Sequence, residues 1–224
     1  MGLAVKMQIA NPSYECRVCC TLRCSHTPVF RKNYRSKRQI QQSAKVTASG
    51  PPSARDGDDD GIPLVKPISC GRDGQAPTII KLPSLREEAF AIADHLASAH
   101  KEGHAWGDIA ISCADWKTME LCADALHQRK LPFNLRKRTG EYNPAADAIQ
   151  IMTMKVSKGL EFPVVALPGV GHMPAAGENE QEAARVFYVA ATRATQRLLI
   201  TVSRESGFGT RLRLVLQKNS AEIC

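Results

Sequence analysis

The sequence lacks the features of a membrane or secreted protein. Aromatic residues make up only 5% of the 224 residues, and no apolar run approaches the roughly 18 residues of a membrane-spanning helix. Residues 1–10 contain no basic stretch followed by a long apolar core, so no secretory signal is predicted. Hydrophobic residues still form 43% of the chain, which excludes wholesale disorder. We therefore expect a cytoplasmic protein with one ordinary domain and no membrane partner.

A second absence concerns nucleotide binding. The dipeptide Gly-Lys occurs nowhere in the sequence, so the phosphate-cradling pattern G-x-x-x-x-G-K-[ST] is missing. No strand-like apolar run ends in Asp-Glu, the usual partner that holds a magnesium ion beside such a loop. The chain by itself lacks the main parts for binding a nucleoside triphosphate and its metal.

Acidic residues are scarce at the start of the chain. The formal net charge is +8, and residues 1–38 hold eight Lys or Arg but only one acid, Glu15. The remaining residues are nearly balanced in charge. Such a local basic patch suits the phosphates of a nucleotide or nucleic acid, although composition alone favours a solvated basic arm.

Four of the eight cysteines crowd into residues 16–24, close to His26. Cys16 and Cys19 have zinc-knuckle spacing, but no second ligand pair follows nearby. A poorly ordered, Cys-rich leader over residues 1–27 is therefore favoured over a metal site. Cys113 and Cys122 lie in apolar periodic segments and are predicted to behave as small buried hydrophobes.

An acidic, breaker-rich linker is predicted over residues 50–63. Asp56, Asp58 and Asp60 within it match the first half of a calcium loop. Pro67 occupies the twelfth position, where a bidentate Glu is needed, so a solvated loop is favoured over a calcium site.

Strand-like and helix-like segments alternate from about residue 77. Several strands are apolar on both faces, as a parallel sheet covered by helices requires. The pattern predicts a doubly wound α/β domain with its functional loops after residues 113, 154 and 170, at the carboxyl ends of strands. Predicted strands cover 76–83, 108–113, a short stretch after Pro132, 148–154, 162–170 and 197–203. Four helices are predicted. Two cover 36–49 and 178–195. A third is capped by Ser84 and ended by Gly103, and a fourth is capped by Asp115 and has Trp116 on its apolar side.

Three segments carry a family resemblance. FRKNYRSKRQI (30–40) contains N-Y-R-S, IQIMTMKVSKGLEFPVVALPG (149–169) contains K-G-L-E-F, and EAARVFYVAATRATQRLLIT (182–201) contains Y-V-x-x-T-R-A. In this order they closely resemble motifs IV, V and VI in the C-terminal motor domain of UvrD/Rep-type superfamily 1 DNA helicases. The resemblance implies a RecA-like, P-loop-NTPase-type parallel sheet flanked by helices over residues 28–205, followed by a tail at 206–224.

The resemblance also implies nucleotide-binding and catalytic roles. Tyr34 matches the tyrosine that stacks on adenine, and Arg35 matches an arginine that reaches the γ-phosphate. Arg193 matches the second such arginine, the finger, and Glu161 matches a glutamate near the ribose. Judged singly, Arg193 reads as a surface ion pair, Tyr34 as a core residue and Glu161 as a turn cap.

The implied nucleic-acid contacts are Thr153, Lys155 and Lys158. Lys155 stands where the family often has histidine, and a lysine can still bind a DNA phosphate. The link between the Asp115-capped helix and residue 149 is short, so the chain resembles a compact variant without the inserted 2B subdomain.

The implied function is the second motor domain of an ATP-dependent, 3′-to-5′ DNA helicase that binds single-stranded DNA. ATP and Mg²⁺ are expected only when an N-terminal RecA-like half completes the motor, and the chain alone is expected to be inactive. A truncated product, a split helicase and a deliberately cut domain all remain open. The alternatives are a non-catalytic nucleic-acid-binding remnant of a helicase and, more weakly, a zinc-binding adaptor built on residues 16–26.

Overall fold

The computed structural model describes residues 32–33, 40, 44, 68–69, 75–136, 146–205 and 207–212. All of them belong to the unit formed by residues 31–224. The predictions for the Cys-rich leader and the acidic linker lie outside the described residues. Within the described ranges, no helix is long and apolar enough to cross a membrane.

The described structure contains eight strands: β1 Lys32–Asn33, β2 Ile68–Ser69, β3 Thr78–Lys81, β4 Ile109–Cys113, β5 Phe133–Leu135, β6 Ile149–Thr153, β7 Phe162–Leu167 and β8 Ala194–Val202. Six of them form a parallel sheet at its centre, in the order β3-β8-β7-β4-β6-β5. The two short strands β1 and β2 pair in parallel with each other. The predicted parallel α/β fold is confirmed.

Three longer helices flank this sheet: α1 (Leu85–Lys101), α2 (Trp116–Gln128) and α3 (Glu180–Ala191). A side-chain oxygen caps each amino end, because Ser84, Asp115 and Asn179 accept hydrogen bonds from first-turn N–H groups. Alternate residues of the strands face opposite sides, as the pleat requires. One side packs on α1 and α2, and the other packs on α3.

Residues 207–212, within the predicted tail, form a further helical segment. Phe208 and Leu212 are buried in the cluster that contains α3, and the Phe208 ring meets the edge of Phe187 with centroids 5.9 Å apart. Ile40 and Ala44, from the predicted helix at 36–49, are helical and buried in the same cluster. The packed core therefore includes residues on both sides of the range 75–205.

The prediction for the third long helix was wrong at its end. The sequence pattern predicted helix through residue 195, but α3 ends at Ala191 and β8 begins at Ala194. In a longer helix the Val189 carbonyl would accept the Arg193 N–H. Here it accepts the Thr192 hydroxyl and the Arg193 side chain instead, and the Arg193 N–H donates to the Ala190 carbonyl. Arg193 therefore lies in the turn between helix and strand.

Two smaller predictions were also wrong. Trp116 does not pack on the apolar side of α2: it is 40% exposed, and its indole N–H donates to Glu120. The predicted strand at 162–170 ends at Leu167, because Gly169 turns the chain with φ 68° into a 3₁₀ turn, Val170–His172.

Candidate functional site

One segment, residues 154–161, joins two edges of the sheet. We call it the crossing segment; the amino edge is where the strands begin, and the carboxyl edge is where they end. β4 lies between the two strands that this segment connects. Its Cys113 is opposite Thr153 of β6, and its Ile109 is opposite Val164 of β7. Thr153 and the start of β7 are therefore about 20 Å apart along the strand direction. The crossing segment spans that distance without a regular helix.

The crossing segment is a series of tight turns that are stabilised by hydrogen bonds within the segment and by packing against the core. The buried Ser157 hydroxyl donates to the Met154 carbonyl over 2.7 Å, and the Leu160 N–H donates to the Ser157 carbonyl over 3.1 Å. Gly159 has φ 87°, a conformation that residues with a Cβ rarely adopt. Val156 and Leu160 pack against the cluster that contains α3. These contacts fix the segment on the sheet.

Arg193 holds the amino-edge end of the crossing segment. Its Nε donates to the Val189 carbonyl over 3.0 Å, and its Nη1 donates to the Leu160 carbonyl over 3.2 Å. Val189 lies in the last turn of α3, where the helix dipole favours a positive charge. Both acceptors are uncharged, so these two contacts direct the guanidinium without cancelling its charge.

Glu161 lies at the same edge as Arg193. It follows Leu160, and the next residue, Phe162, pairs with Ala194 and donates its N–H to the Arg193 carbonyl over 3.0 Å. The backbone thus brings together two residues that are far apart in the sequence. Glu161 is exposed.

Thr153 and Lys155 lie at the opposite, carboxyl edge. Thr153 ends β6, and its carbonyl accepts the N–H groups of Val156 and Ser157 over 3.0 and 3.2 Å. Lys155 is exposed and pairs with Glu182 in the first turn of α3, with Nζ 3.6 Å from Oε1. The expected position at the carboxyl ends of strands therefore holds for Thr153 and Lys155.

That expectation does not hold for Glu161 and Arg193, which lie at the amino edge. Glu161 lies there because the crossing segment carries the chain back to the start of β7, and Arg193 lies there because α3 carries the chain back to the start of β8. Lys158 is exposed on the crossing segment, between the two edges. Among the described residues, the predicted site residues therefore form two groups, with Lys158 between them.

Tyr34 and Arg35 lie outside the described residues, and their roles stay predictions. Asn33, the first residue of their motif, is in β1 and pairs with Ser69 of β2.

The sequence reasoning missed Glu88, a fully buried carboxylate in the first part of α1. Its Oε2 accepts the Gly169 N–H over 2.8 Å and the Thr201 hydroxyl over 2.5 Å, which ties α1 to the ends of β7 and β8. Its Oε1 has no hydrogen-bond partner among the described residues. The sequence did contain a signal for it: Glu88 is an acidic residue directly before Ala89, at a position on the apolar face of the helix.

The described residues offer no metal centre and no reactive thiol. Within the described ranges, no group of three or more His, Cys, Asp or Glu residues is placed to hold a metal ion. Cys113 and Cys122 are free and buried, as predicted. Burial raises the pKa of the Cys113 thiol, and the neighbouring Cys122 and Asp115 raise it further. Such a thiol is a packing group rather than a nucleophile.

Comparison with known proteins centres on the same part of the chain. Residues 135–205 match the family model of the UvrD-like helicase C-terminal domain, a range that includes β6, the crossing segment, β7, α3 and β8. ATP-dependent DNA helicase Rep from Salmonella typhimurium strain LT2 is 39% identical over 72 residues, which is 30% of this chain and 11% of that protein. Rep from Escherichia coli K12 matches with the same figures. The match thus covers about a tenth of the length of these relatives.

A solved structure matches more of the chain. The crystal structure of the C-terminal domain of a possible DNA helicase from Lactobacillus plantarum WCFS1 superposes with a TM-score of 0.58, covering 82% of this chain and 96% of that one. Its sequence identity is 21%, so the likeness supports the fold alone.

Proposed function

We propose that this chain, which carries a UvrD-like helicase C-terminal domain over residues 135–205, acts as the second RecA-like motor domain of an ATP-dependent, 3′-to-5′ DNA helicase. In this proposal a partner domain with a G-x-x-x-x-G-K-[ST] loop binds ATP and Mg²⁺. The supporting observation is the arrangement of the two groups of candidate residues. Arg193 and Glu161 lie at one edge of the sheet, Thr153 and Lys155 lie at the other, and the crossing segment connects them.

At the amino edge, Arg193 acts on the nucleotide that the partner domain holds. ATP supplies the phosphoryl group that is transferred to water. The guanidinium stabilises the negative charge that develops on the transferring group, and two backbone carbonyls orient it beforehand. Because the arginine comes from the second domain, hydrolysis requires closure of the cleft between the domains. Glu161, beside it, contacts the ribose, and Tyr34 and Arg35 complete the nucleotide contacts.

At the carboxyl edge, Thr153 and Lys155 bind the phosphate backbone of single-stranded DNA, and Lys158 adds a further positive charge. These contacts carry no sequence information, so binding tolerates any sequence. The crossing segment begins directly after Thr153, and near its other end Arg193 contacts the carbonyl of Leu160. A shift of this segment on DNA binding would therefore also move an acceptor of Arg193. This provides a physical connection between DNA binding and hydrolysis.

Reconstitution tests the proposal. The chain is mixed with the separately expressed N-terminal half of a Rep-type helicase, and ATP turnover is measured with and without single-stranded oligothymidylate. We expect turnover that requires both proteins and increases with DNA. DNA binding without turnover in any mixture would instead support a non-catalytic remnant of a helicase.

A further inference from the structure

We propose that Glu182 competes with DNA phosphates for Lys155 and thereby lowers the affinity of the domain for single-stranded DNA. This inference rests on the proposed DNA contact of Lys155. Lys155 follows the end of β6 by two residues, and its Nζ lies 3.6 Å from Glu182 Oε1. The ammonium group that a phosphate would bind therefore already has a carboxylate partner.

The ion pair is open to exchange. The side chains of Lys155 and Glu182 are 67% and 62% exposed, so water and a phosphate can reach both groups. Exposed pairs of this kind contribute little to stability, because solvent screens them and the long side chains lose freedom in forming them. A DNA phosphate can thus replace the carboxylate at Lys155 without unfolding any structure.

The backbone position of Glu182 does not depend on its ion pair with Lys155. Its N–H donates to the cap residue Asn179 over 3.1 Å, which fixes its backbone in the first turn of α3. An acidic side chain is also favoured there by the helix dipole. After the exchange, its negative charge remains close to the bound phosphate and repels it. Glu182 therefore weakens DNA binding both by occupying Lys155 and by this repulsion.

Weak binding suits the proposed motor, because a domain that moves along DNA must release a phosphate at each step. The Lys155–Glu182 pair gives the lysine an alternative partner during release. The ammonium group of Lys155 is then not left without a charged partner before it binds the next phosphate.

Glu180 provides a matched control. It lies in the same first turn of α3 and is also exposed, but its carboxylate pairs with Arg211 instead of Lys155. E180Q and E182Q each remove one negative charge, and each removes a favourable interaction between a carboxylate and the helix dipole. Only E182Q releases Lys155.

The experiment measures binding of a labelled single-stranded oligothymidylate to the full chain at low salt, by fluorescence anisotropy. The variants are E182Q, E180Q, K155Q and the double variant K155Q/E182Q, each checked for its fold by circular dichroism. We expect E182Q to bind about two- to fivefold more tightly than the native chain, and K155Q to bind more weakly. In the K155Q background, E182Q should give a much smaller gain, no greater than that of E180Q in the native chain.

The outcomes separate this inference from the proposed function. If K155Q weakens binding but E182Q and E180Q give equal gains, Glu182 acts only through overall charge and the competition is refuted. The same conclusion follows if the gain of E182Q persists fully without Lys155. If K155Q binds as tightly as the native chain, Lys155 does not contact DNA, and the proposed contact fails together with the inference.

Discussion

The guanidinium of Arg193 contacts the carbonyl oxygen of Leu160 over 3.2 Å, and so joins the turn before β8 to the end of the crossing segment. The same side chain also donates to Val189 at the end of α3. Arg193 thus connects the segments that resemble motifs V and VI. It has a visible structural role beside its proposed catalytic one, and experiments must separate the two.

Substitution of Arg193 tests the finger assignment. With the N-terminal half supplied, Arg193→Ala should lower ATP turnover by about 10³- to 10⁵-fold. Nucleotide affinity should change much less, because the charge matters chiefly during phosphoryl transfer. The loss of two hydrogen bonds to a charged donor should also lower the free energy of unfolding by about 1–3 kcal/mol. Steady-state kinetics and urea denaturation measure the two effects.

Arg197→Ala is the control for Arg193→Ala. Arg197 lies within β8 and pairs with Glu102 over 2.5 Å, with both side chains partly exposed. Loss of such a pair costs about 1 kcal/mol or less and should leave turnover nearly unchanged. Equal effects of the two substitutions on turnover, or an Arg193→Ala domain that is largely unfolded, would show that Arg193 is structural.

The chain without a partner should hydrolyse no ATP, with or without single-stranded DNA. The sequence contains no Gly-Lys loop to hold the β- and γ-phosphates. A phosphate-release assay on protein separated from host helicases by two chromatographic steps measures this. Turnover that DNA stimulates and that follows the protein through both steps would contradict the prediction.

DNA binding by the chain alone should be weak, tolerant of sequence and sensitive to salt, because phosphate contacts release counterions. Replacing both Lys155 and Lys158 by Gln should weaken binding and flatten its salt dependence. Lys101→Gln is the control, because Lys101 is exposed at the end of α1, on the side of the amino edge. Titrations of unrelated oligonucleotides at two salt concentrations provide the test. Tight binding that ignores salt would indicate base recognition instead.

The fold was predictable because local signals and periodicity agreed. Ser84 and Asp115 cap the helices that they were predicted to cap, and Gly103 follows the end of α1. The end of α3 was not predictable from periodicity, because the apolar pattern continues from the helix into β8. The return bonds of the Thr192 hydroxyl mark this boundary, and they exist only in the folded chain.

The motifs supplied the candidate residues but not their grouping. They name Thr153 and Glu161 on one short stretch of sequence, and no motif shows that this stretch crosses the sheet. The crossing follows because β6 and β7 both run parallel to β4, which depends on pairing between distant parts of the chain. Glu182 and Glu88 carry no motif signal, since their importance depends on partners that are distant in the sequence.

Cys113 and Cys122 should resist labelling while the domain is folded. Burial excludes reagents, and the raised pKa of Cys113 lowers its thiolate fraction at neutral pH. Treatment with a maleimide followed by peptide mass spectrometry should find these two positions unmodified in buffer and modified in denaturant. Because the folded pKa of Cys113 is raised, its contribution to stability should be complete below about pH 8.5 and decline above it. Rapid labelling in buffer would refute the buried packing role.

Among the described acidic residues, Glu88 is the one whose substitution should lower the free energy of unfolding most. Glu88→Ala leaves the Gly169 N–H and the Thr201 hydroxyl without their acceptor inside the protein. We expect a loss of about 2–5 kcal/mol in the free energy of unfolding, because two buried polar groups lose their partner. Glu88→Gln should cost less, since its amide oxygen can accept both bonds.

Glu87→Gln is the control for the Glu88 variants. Glu87 is the exposed neighbour in the same first turn of α1, and its substitution should change stability by about 0.5 kcal/mol at most. Urea denaturation followed by circular dichroism compares the three variants with the native chain. If Glu88→Ala unfolds no more easily than Glu87→Gln, the carboxylate does not hold α1 to the ends of β7 and β8. If Glu88→Gln costs as much as Glu88→Ala, the negative charge, rather than the two hydrogen bonds, provides the stabilisation.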